Sequence, residues 1–206
     1  VVRLFGAPLE RSALDRIGYL PEERGLYKKR KVIQVLSYLG QLKGLGVAGA
    51  ERAADRWLER LSMEDVRMAR VESLSKGNQQ KIQLIGTLLA DPELLIWDEP
   101  FSGLDPLNAN QVRDLLLELR DAGVAILLST HLMAQAEALC DRVALLARGR
   151  LLLCGPTAEV RQRYGGEVVE VVTDADLSGP DWPDVASVVT TRRVGPRSRW
   201  LVTLQP

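Results

Sequence analysis

The sequence is poor in the residues that mark secreted, metal-binding and membrane-spanning proteins. It has two cysteines and one histidine among 206 residues, and Cys140 and Cys154 form no C-x-x-C pair. Such cysteines favour inert, buried thiols in a reducing compartment over a metal or redox site. No run approaches the roughly 18 apolar residues of a membrane-spanning helix, and no secretory leader opens the chain. We therefore predict a cytosolic protein that reaches a membrane only through a partner.

The chain also has no excess of charge of either sign, because 27 Lys and Arg residues balance 27 Asp and Glu residues. Binding to nucleic acid or to an anionic membrane needs clustered positive charge, so neither partner is expected. Apolar residues make up 46% of the chain, which is enough for one sizeable core with a small appendage. The chain begins within a strand-like segment, Val1–Phe5, and has no initiator methionine, which indicates a fragment that lacks an N-terminal piece.

Apolar periodicity predicts an α/β fold. Apolar residues recur at helical spacing over Val32–Val71, and a further helix follows Ser75 and ends at Asp91-Pro92. Leu94–Trp97 and Val124–Leu128 are apolar throughout and are separated by a helical stripe. Continuous apolar strands that alternate with amphipathic helices are typical of a parallel sheet covered on both faces.

The C-terminal part of the sequence predicts a hairpin, a helix and an appendage. Val143–Ala147 and Leu151–Leu153 flank a turn as the strands of a hairpin do, and Thr157–Tyr164 is predicted to be a short helix. Gly165-Gly166 then marks a boundary. It divides the chain into a main domain, residues 1–164 with a helical subdomain at about 32–90, and a β-rich accessory domain, residues 165–206.

Two adjacent carboxylates follow the apolar segment Leu94–Trp97. Asp98 and Glu99 would lie at the carboxyl end of a parallel strand, where α/β sheets bind ligands. Because Mg²⁺ prefers oxygen ligands, Asp98 is a candidate magnesium ligand. Glu99 is placed to polarise a water for in-line attack on a γ-phosphate. The alternative is an ordinary buried strand that ends in solvated loop carboxylates.

Three further segments accompany these carboxylates in order. Ser75 is a good N-cap, and Gly77 has no Cβ, so a phosphate could approach the amides at the helix start; the alternative is simply a capped helix. Asp105 follows in the turn Ser102–Pro106. His131 ends the next strand, where an imidazole can contact a γ-phosphate or hold the attacking water. A lone histidine is usually structural, but the ordered set is far more specific than any one member.

These motifs, in their order, resemble the ATP-binding cassette family, the nucleotide-binding subunits of ABC transporters. LSKGNQQ (74–80) is similar to the signature motif, LLIWDEP (94–100) to Walker B, SGLDP (102–106) to the D-loop and STH (129–131) to the switch histidine. The resemblance extends to about Gly155 and implies a P-loop-type ATPase core with a helical signature subdomain. The motif spelling, the Tyr19–Tyr27 segment and the appended tail look like the ABC-2 type exporter branch.

The resemblance implies ATP and Mg²⁺ as cofactors and assigns roles at the strand ends. Asp98 would bind Mg²⁺, Glu99 would be the general base and His131 would contact the γ-phosphate. Glu22 belongs to the segment Ile17–Glu22, which looks like the Q-loop and would contact the nucleotide site, although glutamine is usual at this position. A carboxylate there favours the metal but repels the nucleotide.

The resemblance also implies a dimer and membrane partners. Ser75, Gly77 and Gln79 lie in the motif that would clasp the nucleotide of a second ATPase subunit, and Asp105 would communicate across the dimer. The helical insert would press on separate transmembrane permease subunits, which would hold the chain at the cytoplasmic face of the membrane. Closure of two cassettes on ATP would then drive export of a substrate that the permease selects.

One motif of the family is absent. The sequence contains no Gly-x-x-x-x-Gly-Lys-Ser/Thr, the loop whose amides and lysine cradle the phosphates. Loss of an N-terminal piece explains this absence, and the 206-residue chain alone is then expected to be inactive. The alternatives are a degenerate cassette that acts as an interaction module and a non-transport ATPase of the repair or translation type. The latter predicts a basic face, a zinc-binding cysteine cluster or a long coiled-coil insertion, and the sequence has none of them.

Overall fold

The computed structural model describes residues 2–23, 25–164, 168–173, 185–194 and 197–204, with side chains described up to residue 164. The chain divides into two compact units, Val1–Leu139 and Cys140–Pro206. The helices and strands are, in chain order, β1 (Arg3–Leu4), β2 (Ala7–Pro8), β3 (Ile17–Leu20), α1 (Val32–Leu42), α2 (Val47–Arg60), α3 (Lys76–Leu88), β4 (Leu94–Asp98), α4 (Pro106–Asp121), β5 (Ala125–Ser129), α5 (Met133–Leu139), β6 (Arg142–Ala147), β7 (Arg150–Pro156), α6 (Thr157–Tyr164), β8 (Val168–Thr173), β9 (Val185–Val194) and β10 (Arg197–Leu204).

A parallel sheet of β3, β4 and β5 lies at the centre of the first unit, with β4 in the middle. Parallel neighbours need crossover connections, and helices α1 to α3 join β3 to β4 while α4 joins β4 to β5. The carboxyl ends of the three strands therefore lie at one edge of the sheet. This arrangement confirms the predicted α/β fold class.

Helix α3 packs closely against the sheet. A Cβ on Gly18 of β3 would lie only 2.4 Å from the carbonyl oxygen of Thr87, so this approach requires glycine. The fully buried Trp97 donates its indole N–H to Thr87 Oγ1 at 3.1 Å. Burial of such a side chain contributes about 2–3 kcal/mol. The core around it is made of apolar residues from six elements: Leu20, Leu36, Leu58, Ile82, Leu84, Ile85, Leu88, Leu95 and Leu116.

The predicted helical region over Val32–Val71 contains α1 and α2, which pack against each other and against α3. The first helix is followed by Gly44, whose φ of +86° is the left-handed conformation that commonly ends a helix. The predicted strand Val1–Phe5 is shorter than expected. Within its described part, residues 2–5, the strand covers Arg3–Leu4, because Phe5 and Gly6 turn the chain back to β2 with φ values of +52° and +79°.

Strand β5 differs from the prediction of a sheet covered on both faces. Leu127, in its middle, is 61% exposed, and burial alternates along the strand. Within the part of the chain that the structure describes, β5 pairs only with β4. A continuous apolar run indicates that both faces of a strand can be buried, but it does not show which elements supply the cover.

The second unit contains the predicted hairpin and helix. Strands β6 and β7 are joined by Arg148 and Gly149, whose φ values of +50° and +71° match a type I′ turn. Helix α6 has the bounds that the sequence predicted. Strands β8, β10 and β9 form an antiparallel sheet in that order.

The predicted domain boundary at Gly165-Gly166 lies outside the described residues and stays a prediction. The division between the two compact units falls after Leu139. Among the described helices, none has the length and apolar character that crossing a membrane requires.

Candidate functional site

The carboxyl ends of β4 and β5 bring together a group that we call the sheet-edge cluster: Asp98, Glu99, Ser129, Thr130 and His131. The strand register places Asp98 directly beside Ser129. Strand β4 ends at Asp98 because Glu99 adopts a left-handed φ of +46°. This conformation costs a non-glycine residue about 1–2 kcal/mol. A hydrogen bond from the Glu99 amide to the Ser129 carbonyl, 3.0 Å long, holds the turn in place.

The Asp98 carboxylate is oriented by its neighbour on β5. The Ser129 hydroxyl donates a hydrogen bond to Asp98 Oδ1. Within the described residues, no three His, Cys, Asp or Glu side chains gather into a metal cage. Mg²⁺ does not need one, because it keeps several waters and usually takes one or two carboxylates together with substrate phosphates. An oriented carboxylate beside a hydroxyl oxygen therefore fits the hard oxygen donors that Mg²⁺ prefers.

Glu99 is largely enclosed, with a side chain only 15% exposed. Its Oε1 accepts the backbone N–H of His131 at 2.7 Å, and the Nδ1 of the same histidine lies 2.6 Å away. Its Oε2 has only a long contact, 3.5 Å, with the Thr130 hydroxyl. One oxygen of the carboxylate is thus held firmly, while the other keeps capacity to accept a proton.

His131 is 75% exposed, so its imidazole is attached to Glu99 without being enclosed. The sequence predicted contact with a γ-phosphate. The structure adds that the ring nitrogen nearest the backbone faces the Glu99 carboxylate. Thr130 contributes to the same turn, since its hydroxyl accepts the Leu132 backbone N–H at 3.1 Å.

The start of α3 and the start of α4 form a second group, which we call the signature cluster: Ser75, Gly77, Lys81, Asp105 and Asn108. Ser75 is the N-cap of α3, as predicted, and its hydroxyl accepts the Asn78 backbone N–H at 3.1 Å. A Cβ on Gly77 would make only ordinary contacts, 3.6 Å to the carbonyl oxygen of Gly103 and 3.7 Å to Asn108 Nδ2. The first turn of α3 therefore packs against the turn that leads into α4.

Asp105 is the N-cap of α4. Its Oδ1 accepts the backbone N–H groups of Leu107 and Asn108 at 3.0 Å, and its Oδ2 accepts the Asn108 side-chain amide at 2.6 Å. The hydrogen bonds from the backbone and the side chain of Asn108 are the main reason that the pKa of Asp105 lies below its usual value. Both oxygens of this carboxylate therefore accept hydrogen bonds from its own chain.

Helix α3 also reaches two other predicted motifs through buried glutamines. Gln80 donates to the carbonyl oxygen of Pro100 at 3.3 Å, just beyond Glu99. Gln83 donates to the carbonyl oxygens of Pro21 and Glu23 at 3.2 and 3.3 Å. Gln79, in contrast, bonds to its own chain at the Leu74 carbonyl oxygen, 3.0 Å away.

Glu22 lies apart from the sheet-edge cluster. It is exposed beyond the end of β3, at the same edge of the sheet. Within residues 2–23 and 25–164, no hydrogen bond or ion pair joins its carboxylate to Asp98 or Glu99. The structure thus brings three of the predicted residues, Asp98, Glu99 and His131, into one group and leaves Glu22 outside it.

Four residues of these clusters received no individual role from the sequence: Lys81, Asn108, Ser129 and Thr130. Ser129 and Thr130 belong to the STH motif, but only the histidine stood out by its chemistry. Lys81 was detectable as a charge four residues after Gly77, on the same helix face. Asn108 offered no comparable sequence feature.

Comparison with known proteins agrees with the motifs. A family model described as ABC transporter matches residues 2–102. The ABC transporter ATP-binding protein YhaQ of Bacillus subtilis is 45% identical over 172 residues, which cover 84% of this chain and 58% of that protein. An ABC transporter ATP-binding protein of Methanocaldococcus jannaschii is 43% identical over 145 residues, 70% of this chain and 55% of that protein. The linearmycin resistance ATP-binding protein LnrL of Bacillus subtilis is 29% identical over 166 residues, 81% of this chain and 53% of that protein.

Comparison with solved structures gives the same fold. A structure described as the ATP-binding subunit of an ABC transporter is similar to this chain with a TM-score of 0.66 and 33% sequence identity. The similarity covers 73% of this chain and 63% of that chain. The chain thus spans between half and two thirds of the length of the curated relatives named above.

Proposed function

The chain belongs to the ABC transporter family of ATP-binding proteins, and we propose that it hydrolyses ATP at the sheet-edge cluster while its signature cluster closes on a second subunit's nucleotide. The observation that carries the proposal is the juxtaposition of Asp98, Glu99 and His131 at the carboxyl ends of two adjacent parallel strands. This is the edge where α/β sheets bind their ligands.

In the proposed reaction, Glu99 is the general base. His131 fixes Oε1 through its backbone N–H and its Nδ1, so the carboxylate has one orientation. Oε2 is available to accept a proton from the water that attacks the γ-phosphate. The largely exposed His131 ring lies beside this oxygen pair, where it can contact the γ-phosphate as the water attacks.

Asp98 is the proposed magnesium ligand. Ser129 occupies Oδ1 and thereby orients the carboxylate, which leaves Oδ2 free for the metal. Bound Mg²⁺ would offset the negative charge that develops on the phosphate oxygens. Glu22, at the end of β3, is proposed to lie near the nucleotide site, and its exposure is consistent with contact to a ligand held at the sheet edge.

The signature cluster is proposed to contact the nucleotide of a second ATPase subunit. Ser75, Gly77 and Gln79 lie at the amino end of α3, where backbone N–H groups and the helix dipole favour an anion. Gly77 lets this first turn of α3 pack closely against the turn that leads into α4. Asp105, fixed as the cap of α4, is proposed to communicate across the dimer through the turn that it holds.

We further propose that the whole protein drives export through separate permease subunits of the ABC-2 type, which would hold it at the cytoplasmic face of a membrane. The name of one relative, the linearmycin resistance protein LnrL, is consistent with an exporter. Tyr38 on α1 and Tyr27, which precedes that helix, offer a docking surface. Both rings are exposed and meet edge to face with their centroids 5.6 Å apart, and exposed aromatic pairs are favoured at protein interfaces.

The 206-residue chain by itself is proposed to be inactive, because its sequence has no loop of the type that cradles ATP phosphates. Incubation of this chain alone with Mg²⁺ and ATP should give no phosphate release. Release that disappears in the Glu99→Gln variant would overturn this part of the proposal.

The test of the whole proposal uses Glu99→Gln in the full-length protein. Glutamine keeps the shape of the side chain but cannot accept a proton, so phosphate release should fall about 100-fold or more. ATP binding and ATP-dependent dimerisation should persist. The matched control is Glu10→Gln, which removes an exposed glutamate far from the sheet edge in sequence and should change neither property. Loss of ATP binding in Glu99→Gln would show that the glutamate is structural.

A further inference from the structure

Lys81 is a charged side chain on the buried face of α3. It is 4% exposed and lies among buried residues of α3. Its Nζ donates to Asn108 Oδ1 at 3.2 Å and to Gln111 Oε1 at 3.0 Å, both on α4. The acceptors are neutral amide oxygens, so the hydrogen bonds satisfy the ammonium group without neutralising it.

The position of this amine has an electrostatic cost. Burial lowers the pKa of Lys81, and the negative charge of Asp105 partly opposes that shift. A methionine of similar length would fill the same space without a buried charge. The interaction with α4 is therefore the property that distinguishes lysine from an apolar residue here.

The hydrogen bonds of Asn108 explain what the lysine can control. Lys81 can only donate, so it holds the Asn108 side chain with Oδ1 toward α3. The amide group of the same side chain then points the other way and donates to Asp105 Oδ2 at 2.6 Å. Asp105 can only accept, so it favours the same orientation of the amide from its own side, and Lys81 ties that amide to α3. Lys81, Asn108 and Asp105 thus form one continuous hydrogen-bonded connection.

A packing contact at Gly77 accompanies the hydrogen-bonded connection from Lys81 to Asp105. Gly77 and Lys81 are four residues apart, so they lie on the same face of α3. A Cβ at Gly77 would touch Gly103 and Asn108, the same segment that Lys81 engages. The amino end of α3 and the turn at Asp105 are therefore joined at two points.

We propose that Lys81 is a positioning residue that fixes the Asp105 turn relative to Ser75 and Gly77, so that both contact regions move as one when two ATPase subunits close on nucleotide. This inference rests on the proposed function. It assigns no contact between Lys81 and the nucleotide, because Lys81 acts through Asn108 and Asp105.

The experiment compares Lys81→Met with Lys81→Arg in the full-length protein. Methionine cannot donate, and turnover at saturating ATP should fall about tenfold, as expected for loss of a charge-assisted hydrogen bond that positions a functional group. KM for ATP should stay within about twofold, because the nucleotide contacts remain. Arginine can still donate to Asn108 and should restore turnover to within about twofold of the wild type. Lys29→Met, which removes an exposed lysine, is the matched control and should have no effect.

A double-mutant cycle separates positioning from general stability. If Lys81 acts only through Asp105, Lys81→Met should have no further effect on turnover once Asp105→Asn is present. Independent, multiplicative losses would overturn the proposal, and so would an arginine variant that folds but turns over as slowly as the methionine variant. Should Lys81→Met fail to fold, Asn108→Ala tests the same connection, and additivity with Asp105→Asn would again overturn it. Wild-type protein that neither binds nor hydrolyses ATP would instead contradict the proposed function.

Discussion

The sheet-edge cluster and the signature cluster satisfy their polar groups in opposite ways. At the sheet edge, side chains bind one another: Ser129 donates to Asp98, and His131 holds Glu99. In the signature cluster, side chains mostly cap their own helices, as Ser75 does for α3 and Asp105 does for α4. The first group has a carboxylate oxygen with spare capacity. The second presents backbone N–H groups at a helix start.

This difference indicates that the two clusters have different functions. A carboxylate held on one side and open on the other can accept a proton, so the sheet-edge cluster is suited to chemistry. Capped helix starts without a free base can bind an anion but cannot activate water. We therefore expect substitutions in the sheet-edge cluster to alter the hydrolytic step and metal use directly, and substitutions in the signature cluster to alter dimerisation and, through it, turnover. The following predictions, all for the full-length protein, test that division.

The largest expected effect after that of Glu99→Gln is at His131. In His131→Ala the imidazole contact to Glu99 is lost, but the backbone N–H remains. Turnover should fall about 100-fold, the upper range for loss of a residue that orients a catalytic group. ATP-dependent dimerisation, followed by light scattering, should be unchanged. A variant with normal turnover would show that this histidine is only a surface residue.

Gly77→Ala should show the opposite effect, because it should weaken dimerisation on nucleotide. The added Cβ makes only ordinary contacts within the chain, and alanine is favoured over glycine in a helix by about 1 kcal/mol, so thermal stability should not fall. The methyl group would lie between the first turn of α3 and the Gly103–Asn108 segment, and it would therefore alter the surface that is proposed to contact the nucleotide. The nucleotide-dependent dimer should weaken about tenfold, equivalent to about 1.4 kcal/mol. Unchanged dimerisation would place the nucleotide contact elsewhere.

Much of this architecture follows from the sequence. The apolar runs of β4 and β5 and the periodicity of α3 predict a parallel sheet with its carboxyl ends together, and this places Asp98, Glu99 and His131 at one edge. The contact between Glu99 and the backbone N–H of His131 could not be predicted, because it depends on a left-handed turn at a non-glycine residue.

Other features depend on long-range geometry. The exposure of Leu127 depends on which elements cover β5, and the short pairing at Arg3–Leu4 depends on two left-handed residues. The hydrogen bond between Lys81 and Asn108 joins side chains 27 residues apart in the chain. Local propensity and apolar pattern contain no information about such contacts.

Ser129→Ala tests the metal side of the sheet-edge cluster. Without the hydroxyl, Asp98 loses the donor that orients its carboxylate. The Mg²⁺ concentration for half-maximal turnover should rise about fivefold to tenfold, within the range for loss of a residue that orients a metal ligand, and Mn²⁺ binding measured by electron paramagnetic resonance should weaken in parallel. Ser12→Ala, at an exposed position, is the control. Equal metal dependence in the two variants would contradict the proposed role of Asp98.

The smallest expected effect concerns Asp105 and acid. Because its pKa is lowered in the folded state by the Asn108 hydrogen bonds, its contribution to stability is present above the pKa of the unfolded carboxyl. That contribution is lost as the pH falls through the lowered folded-state pKa. Thermal unfolding between neutral pH and pH 3 should show a steeper loss for the wild type than for Asp105→Asn. Identical pH profiles would show that the carboxylate charge does not stabilise α4.

The central claim is that one subunit supplies the sheet-edge cluster and another supplies the signature cluster. A mixture of Glu99→Gln and Gly77→Asp proteins tests it most directly, because each variant alone should be inactive. If a site is shared between subunits, a mixed dimer contains one site with an intact Glu99 and an intact Gly77. Random mixing should then restore about a quarter of wild-type phosphate release, since about half of the dimers are mixed and each has one intact site. Detection of mixed dimers without any recovered hydrolysis would contradict the claim.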